Sequence, residues 1–109
     1  MNRKDQILQL LEANPGDAFL RFALAKEHEQ GAGGDAGAVA IYEQLVRDSP
    51  DYVGTYYHYG KALERLGRDR EAWAAYTTGI AVAGRLGENH ARAELAGARL
   101  ELGDEEDFG

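Results

Sequence analysis

The chain carries an internal repeat. When its sequence is shifted by 34 or 35 residues against itself, residues of the same kind coincide. The two prolines, Pro15 and Pro50, stand 35 positions apart. Further matches at these shifts are Phe22 with Tyr57, Lys26 with Lys61, Ala38 with Ala72 and Tyr42 with Tyr76. A repeat of this length is typical of a stack of one supersecondary unit, in which neighbouring copies bury each other's apolar faces.

The segments between the prolines and the glycines predict helices. Apolar residues recur there every three or four positions, and Ala, Leu, Glu and Arg, which favour helix, are frequent. Pro15 ends one segment, and Asp17 is placed to cap the next. The predicted helices are residues 3–13, 18–30, 35–48, 52–66, 69–83 and 88–102. The sequence therefore predicts an all-α fold.

Length and composition limit the classes of protein to which the chain can belong. Its 109 residues fit one domain. The absence of cysteine excludes disulfides and Cys-based zinc sites. No apolar run approaches the ~18 residues of a membrane span, and no signal sequence is evident, so we predict a cytoplasmic protein. The net charge of -7 argues against nucleic acid and anionic membranes as partners.

Residues 53–86 resemble one tetratricopeptide repeat. The large residues, small residues and turn glycine that the family requires are present in order as Tyr56, Tyr59, Gly60, Leu63, Gly67, Ala72, Tyr76 and Gly79. Gly60 and Ala72 would let the two helices of the repeat approach closely, while the tyrosines fill the space around them. The resemblance implies a right-handed stack of antiparallel helix pairs.

The resemblance also divides the chain into parts. We expect a single domain at 1–103 and an acidic, flexible tail at 104–109. The domain would consist of a half-repeat at 3–17, two full repeats at 18–52 and 53–86, and a capping helix at 87–103. The first full repeat has one extra residue in the glycine-rich loop at 31–37, where an insertion costs least.

The resemblance implies that the concave face of the stack binds a protein or peptide. An aromatic residue followed four positions later by lysine occurs in both repeats and could grip such a ligand. The candidate groove residues are Phe19, Phe22, Lys26, Glu29, Tyr57, Lys61, Glu64 and Arg92. They predict a ligand with an apolar anchor beside a carboxylate. The alternative is that Phe22 and Tyr57 pack against each other inside the stack.

Residues that could carry chemistry are explained better as structural. His28, His58 and His90 occupy different positions in the repeat, so we predict no metal site, with His28 in the core and the other two at the surface. The glycine-rich loop at 31–37 lacks the preceding strand and following lysine of a phosphate loop. Trp73 is expected to pack on the last helix. No nucleophile–base pair or carboxylate dyad is visible, so we predict no catalytic site, no cofactor and no enzyme.

A second interpretation of function remains open. The stack could homodimerise through the apolar face of a terminal helix. Leu8 and Leu11 on the first helix keep that possibility open. The sequence alone identifies neither the partner nor the oligomeric state.

Overall fold

The structure, a computed structural model, describes residues 2–109. Within this range there is no strand, and the all-α prediction is confirmed. The seven helices are α1 (Arg3–Ala13), α2 (Ala18–Gln30), α3 (Gly34–Asp48), α4 (Gly54–Arg65), α5 (Asp69–Leu86), α6 (Asn89–Leu102) and α7 (Glu105–Phe108). Helix α5 runs about one turn further than predicted. In the same part of the chain, no helix has both the length and the apolar character to cross a bilayer.

The helices begin and end where local chemistry favours it. The side chain of Asp17 accepts a hydrogen bond of 2.9 Å from the N–H of Leu20 and caps α2, as the sequence predicted. Helix α5 continues to Leu86 because the next residue, Gly87, adopts the left-handed conformation at φ 74. A helix ends readily at such a glycine, since the left-handed conformation is strained for other residues.

Consecutive helices from α1 to α6 pack against one another, and α4 also contacts α6. The chain therefore forms a layered stack with extents of 47 × 30 × 20 Å. Helices α2, α4 and α6 line one side of it. Helices α3 and α5 pair with α2 and α4 and lie on the other side.

Tyrosines and glycines meet at the centre of the stack. Tyr42, Tyr56 and Tyr76 are fully buried. Gly60 of α4 faces the ring of Tyr76 so closely that a Cβ at this glycine would lie 2.1 Å from Cε1 of the ring. Gly79 of α5 faces Tyr56 in the same way, with a Cβ position 2.5 Å from the tyrosine Cβ. The two glycines thus leave the room that two aromatic side chains fill.

The C-terminal residues, which the sequence predicted as a flexible tail, contain the short helix α7. Asp104 caps α7 by accepting hydrogen bonds from the N–H groups of Glu106 and Asp107. Carboxylates near a helix N-terminus are favourable there. The ring of Phe108 stacks on Trp73 with centroids 6.0 Å apart. A helix cap and an aromatic contact thus connect this acidic segment to the rest of the stack.

Trp73 lies where this tail meets the last helix. The guanidinium of Arg99 of α6 is 5.0 Å from the centroid of its indole ring, in agreement with the predicted packing of Trp73 on that helix. The indole is thus covered from two directions, by Arg99 and by Phe108. Because Trp73 is the single tryptophan of the chain, tryptophan fluorescence reports on the surroundings of this one indole ring.

Replacing Phe108 with alanine should expose the indole and move its fluorescence emission to longer wavelength. The loss of stability should be small, because an aromatic pair contributes about 0.5–1.5 kcal/mol beyond its buried area. Leu86→Ala, which truncates an exposed residue elsewhere on α5, is the control and should leave the emission unchanged. An unchanged emission of Phe108→Ala would show that the tail does not cover Trp73 in solution.

Candidate functional site

The inner side of the stack contains a groove between α4 and α6, with α2 at its edge. It encloses about 550 Å³. Its wall is mostly aromatic and acidic, and the side chains that define its chemistry are Phe22, Asp51, Tyr52, Tyr57, His58, Glu88 and Glu94. Tyr57 and His58 reach it because they follow Tyr56 on α4, whose own ring turns into the core.

The aromatic part of the wall is centred on His58. The centroid of its ring is 5.3 Å from that of Phe22 and 5.4 Å from that of Tyr57, and both pairs are edge-to-face. Phe22 is also 5.8 Å from Tyr52. His58 thus lies between Phe22 and Tyr57, which the alternative interpretation had packed against each other. The prediction that His58 is a surface residue is wrong, since its side chain is half-buried in this wall.

The other two histidines lie away from the groove. His28 packs against Gly33 and Gly37 of the loop and the start of α3. His90 is exposed at the start of α6. Nowhere in residues 2–109 do three His, Asp or Glu side chains converge in the manner of metal ligands.

His58 is held in its neutral form. Nζ of Lys26 is 3.1 Å from its Nδ1. Because an ammonium group can only donate, Nδ1 accepts this hydrogen bond and the ring proton is on Nε2. Burial lowers the pKa of His58, and the positive charge of Lys26 lowers that pKa further. The inner wall therefore has no positive charge at this position near neutral pH.

Two equivalent Lys–Glu–Tyr clusters lie beside the wall. In the first, formed by Lys26, Glu29 and Tyr42, the tyrosine hydroxyl donates to Oε2 of the glutamate at 2.5 Å. Nζ of the lysine lies 3.1 Å from Oε1 of the same carboxylate. Burial raises the pKa of Tyr42, and the hydrogen bond to Glu29 adds to that effect. Arg65 of α4 is a further cation, 3.5 Å from Glu29.

The second cluster repeats the first in the next helix pair. The hydroxyl of Tyr76 donates to Glu64, whose carboxylate is 3.8 Å from Nζ of Lys61. Burial raises the pKa of Tyr76, with the hydrogen bond to Glu64 as the second cause. In both clusters the glutamate connects the two helices of a pair. Glu29 and Glu64, which we predicted in the groove, are thus occupied by contacts within the protein.

The remaining candidate residues lie at different distances from the groove. Lys61 is 5.6 Å from the centroid of the Tyr57 ring. Phe19 precedes Phe22 by one turn and is 61% exposed. Arg92 lies beside Gly84 of α5 and is not part of the groove wall, which differs from its predicted place. The structure thus brings together Phe22, Tyr57 and the two lysines of the candidate set.

The set of candidate groove residues did not include the acidic part of the wall. Asp51 and Tyr52 stand in the turn before α4, and Glu88 and Glu94 belong to the start and the middle of α6. The signal that could have found the two glutamates is their spacing with Ala91 and Leu95 on one side of a helix. The weak match of α6 to the repeat pattern hid which of its sides faces α4.

Two solved structures are similar to this chain over most of their length. A tetratricopeptide repeat domain protein from Salinibacter ruber, determined by solution NMR, is 45% identical with a TM-score of 0.77, over 81% of this chain and 88% of that chain. A crystal structure of a tetratricopeptide repeat domain protein from the same organism is also 45% identical, with a TM-score of 0.73, over 79% and 94%. No family model matches the sequence. No curated protein matches it either.

Proposed function

The chain belongs to the tetratricopeptide repeat family, and on that premise we propose that it is a non-catalytic scaffold that binds a protein or peptide in the groove between α2, α4 and α6. The observation that carries the proposal is the aromatic wall. Phe22, Tyr57 and His58 remain partly accessible there, whereas the tyrosines of the core are fully buried. Partly accessible aromatic rings in a concave surface are typical of binding sites for other proteins.

The charge of the chain supports a protein partner. With a net charge of -7, the molecule repels nucleic acid and anionic lipid at long range. We propose the cytoplasm as its location.

Truncation of the wall should remove the partner without unfolding the stack. Tyr57→Ala deletes a ring that lies on the inner side of α4, while the core of that helix consists of Tyr56, Gly60 and Leu63. In affinity capture from the native lysate, proteins retained by the wild type should be lost with Tyr57→Ala and kept with Leu100→Ala. Leu100 is exposed and lies outside the groove wall, which makes it the matched control.

Circular dichroism and thermal unfolding must show that both variants are folded. If every protein captured by the wild type is also captured by Tyr57→Ala and by Phe22→Ala, the groove is not the binding surface.

Homodimerisation through a terminal helix is the second candidate. Leu8 and Leu10 are exposed on α1, whose main contact in the described part of the chain is with α2. These leucines are two positions apart and therefore face different directions, so they do not form one apolar stripe. Leu11, which the sequence suggested for this face, is partly buried. Light scattering of the purified protein distinguishes a dimer from a monomer.

A further inference from the structure

We propose that the groove binds a positively charged side chain of its partner, arginine in preference to lysine. The inference rests on the proposed function and adds the chemistry of the ligand to it. It follows from the charges, the rings and the internal ion pairs around the groove.

The fixed charges on the groove wall are negative. Asp51, Glu88 and Glu94 contribute carboxylates, and no lysine or arginine is among the residues that line this groove. Over residues 2–109, Glu88 takes part in no ion pair. Glu94 has only the exposed imidazole of His90, 3.6 Å away, and Asp51 is paired with Arg85 at the surface. At least two carboxylates are therefore available to a cation in the groove.

The two lysines beside the aromatic wall are already compensated within the protein. Lys26 is bound to Glu29, and Lys61 is paired with Glu64. Burial and the proximity of Lys26 lower the pKa of His58, so its ring adds no charge near neutral pH. The two lysines, which the sequence suggested as partners for a carboxylate of the ligand, thus each already have a carboxylate of the protein beside them.

The aromatic rings suit the same ligand. A cation within about 6 Å of a ring centroid is attracted by the negative face of the ring. The protein makes this contact itself at two places, with Lys61 over Tyr57 and with Arg99 over Trp73. A guanidinium can stack on a ring while donating two parallel hydrogen bonds to a carboxylate, whereas an ammonium group cannot. The combination of rings and carboxylates in one groove thus favours arginine.

A displayed library of random peptides tests the inference on the whole chain. We expect the wild type to enrich peptides that contain arginine, and synthetic copies to bind less tightly when citrulline, which is neutral and of similar shape, replaces that arginine. The double variant Glu88→Gln/Glu94→Gln should bind the arginine peptides about tenfold more weakly. Binding should also weaken with added salt.

A matched variant separates the local effect from the net charge. Glu12→Gln/Glu101→Gln removes the same amount of charge at exposed positions outside the groove wall and should leave the affinity within about twofold of the wild type, since exposed charges beyond a Debye length of about 8–10 Å are screened. If both double variants lose affinity equally, the carboxylates of the groove do not recognise the arginine and the inference is wrong.

The outcomes for the two proposals differ. The inference is overturned if the enriched peptides require Tyr57 but share no cationic residue. It is also overturned if they bind Glu88→Gln/Glu94→Gln as well as the wild type. Either result leaves the groove as a binding site. Enriched peptides that bind Tyr57→Ala and Phe22→Ala unchanged overturn the proposed function itself. A selection that enriches no peptide counts against both.

Discussion

Gly60→Ala is expected to destabilise the protein by about 1–3 kcal/mol. The added methyl carbon would lie 2.1 Å from Cε1 of Tyr76, and this ring is fully buried. The ring cannot move aside without breaking its hydrogen bond to Glu64. The helices α4 and α5 must separate instead, so the midpoint of urea unfolding should fall.

The chain offers a matched control for this substitution. Gly97 lies in the interior of α6, and a Cβ there would meet no atom within 4 Å. Gly97→Ala should therefore be neutral or stabilise the protein by up to about 1 kcal/mol, because alanine is the better helix former. Equal unfolding midpoints for Gly60→Ala and the wild type would mean that α4 and α5 do not pack in the register described.

Tyr42→Phe is expected to cost about 1–3 kcal/mol, and more than Tyr76→Phe. Each substitution removes the hydroxyl that donates to a glutamate of a Lys–Glu–Tyr cluster. The side chain of Glu29 is 10% exposed, whereas that of Glu64 is 26% exposed. Water can replace the lost donor more easily at Glu64, so the same change should be less costly there.

Urea unfolding of both variants at neutral pH gives the two free energies, and alkaline pH gives a second measurement. Burial raises the pKa of Tyr42 above the ordinary 10.0. Folding therefore favours the protonated phenol, and this contribution is fully present below pH 10.0 and is lost as the pH rises beyond it. Tyr42→Phe should lose less stability than the wild type above that pH. A larger loss of stability for Tyr76→Phe than for Tyr42→Phe would contradict the burial argument.

Local signals explain why the helices could be predicted from the sequence. The cap of Asp17, the helix end at Pro15 and the turn at Gly67 each depend on residues within a few positions of one another. Tyr42 and Tyr76 were assigned to the core because they occupy the same place in the two copies of the repeat, and Tyr56 because of the resemblance to the family pattern. Local chemistry and repetition thus determine the fold here.

The groove could be predicted only in part, because its chemistry depends on which helix faces which. The repeat placed Phe22 and Tyr57 on the inner side, where the structure has them. The repeat did not predict the hydrogen bond that the hydroxyl of Tyr42 donates to Glu29 on the neighbouring helix. The resemblance also placed Arg92 in the groove, although Glu88 and Glu94 are the charged residues in this part of the chain that line it. The rotation of each helix about its own axis decides which side chains meet between helices. These contacts leave no periodic signal in the sequence.

The two Lys–Glu–Tyr clusters have a consequence for the thermodynamics of binding. Lys26 touches His58, and Lys61 lies over Tyr57, so each cluster has one member in contact with the aromatic wall. A ligand that displaces either lysine changes the partners of Glu29 or Glu64, and with them the free energy that joins a helix pair. By linkage, if such a ligand changed this free energy, tightening of the helix pair would change the affinity of the proposed groove by the same factor. Binding in the proposed groove would then be coupled to the stability of the stack.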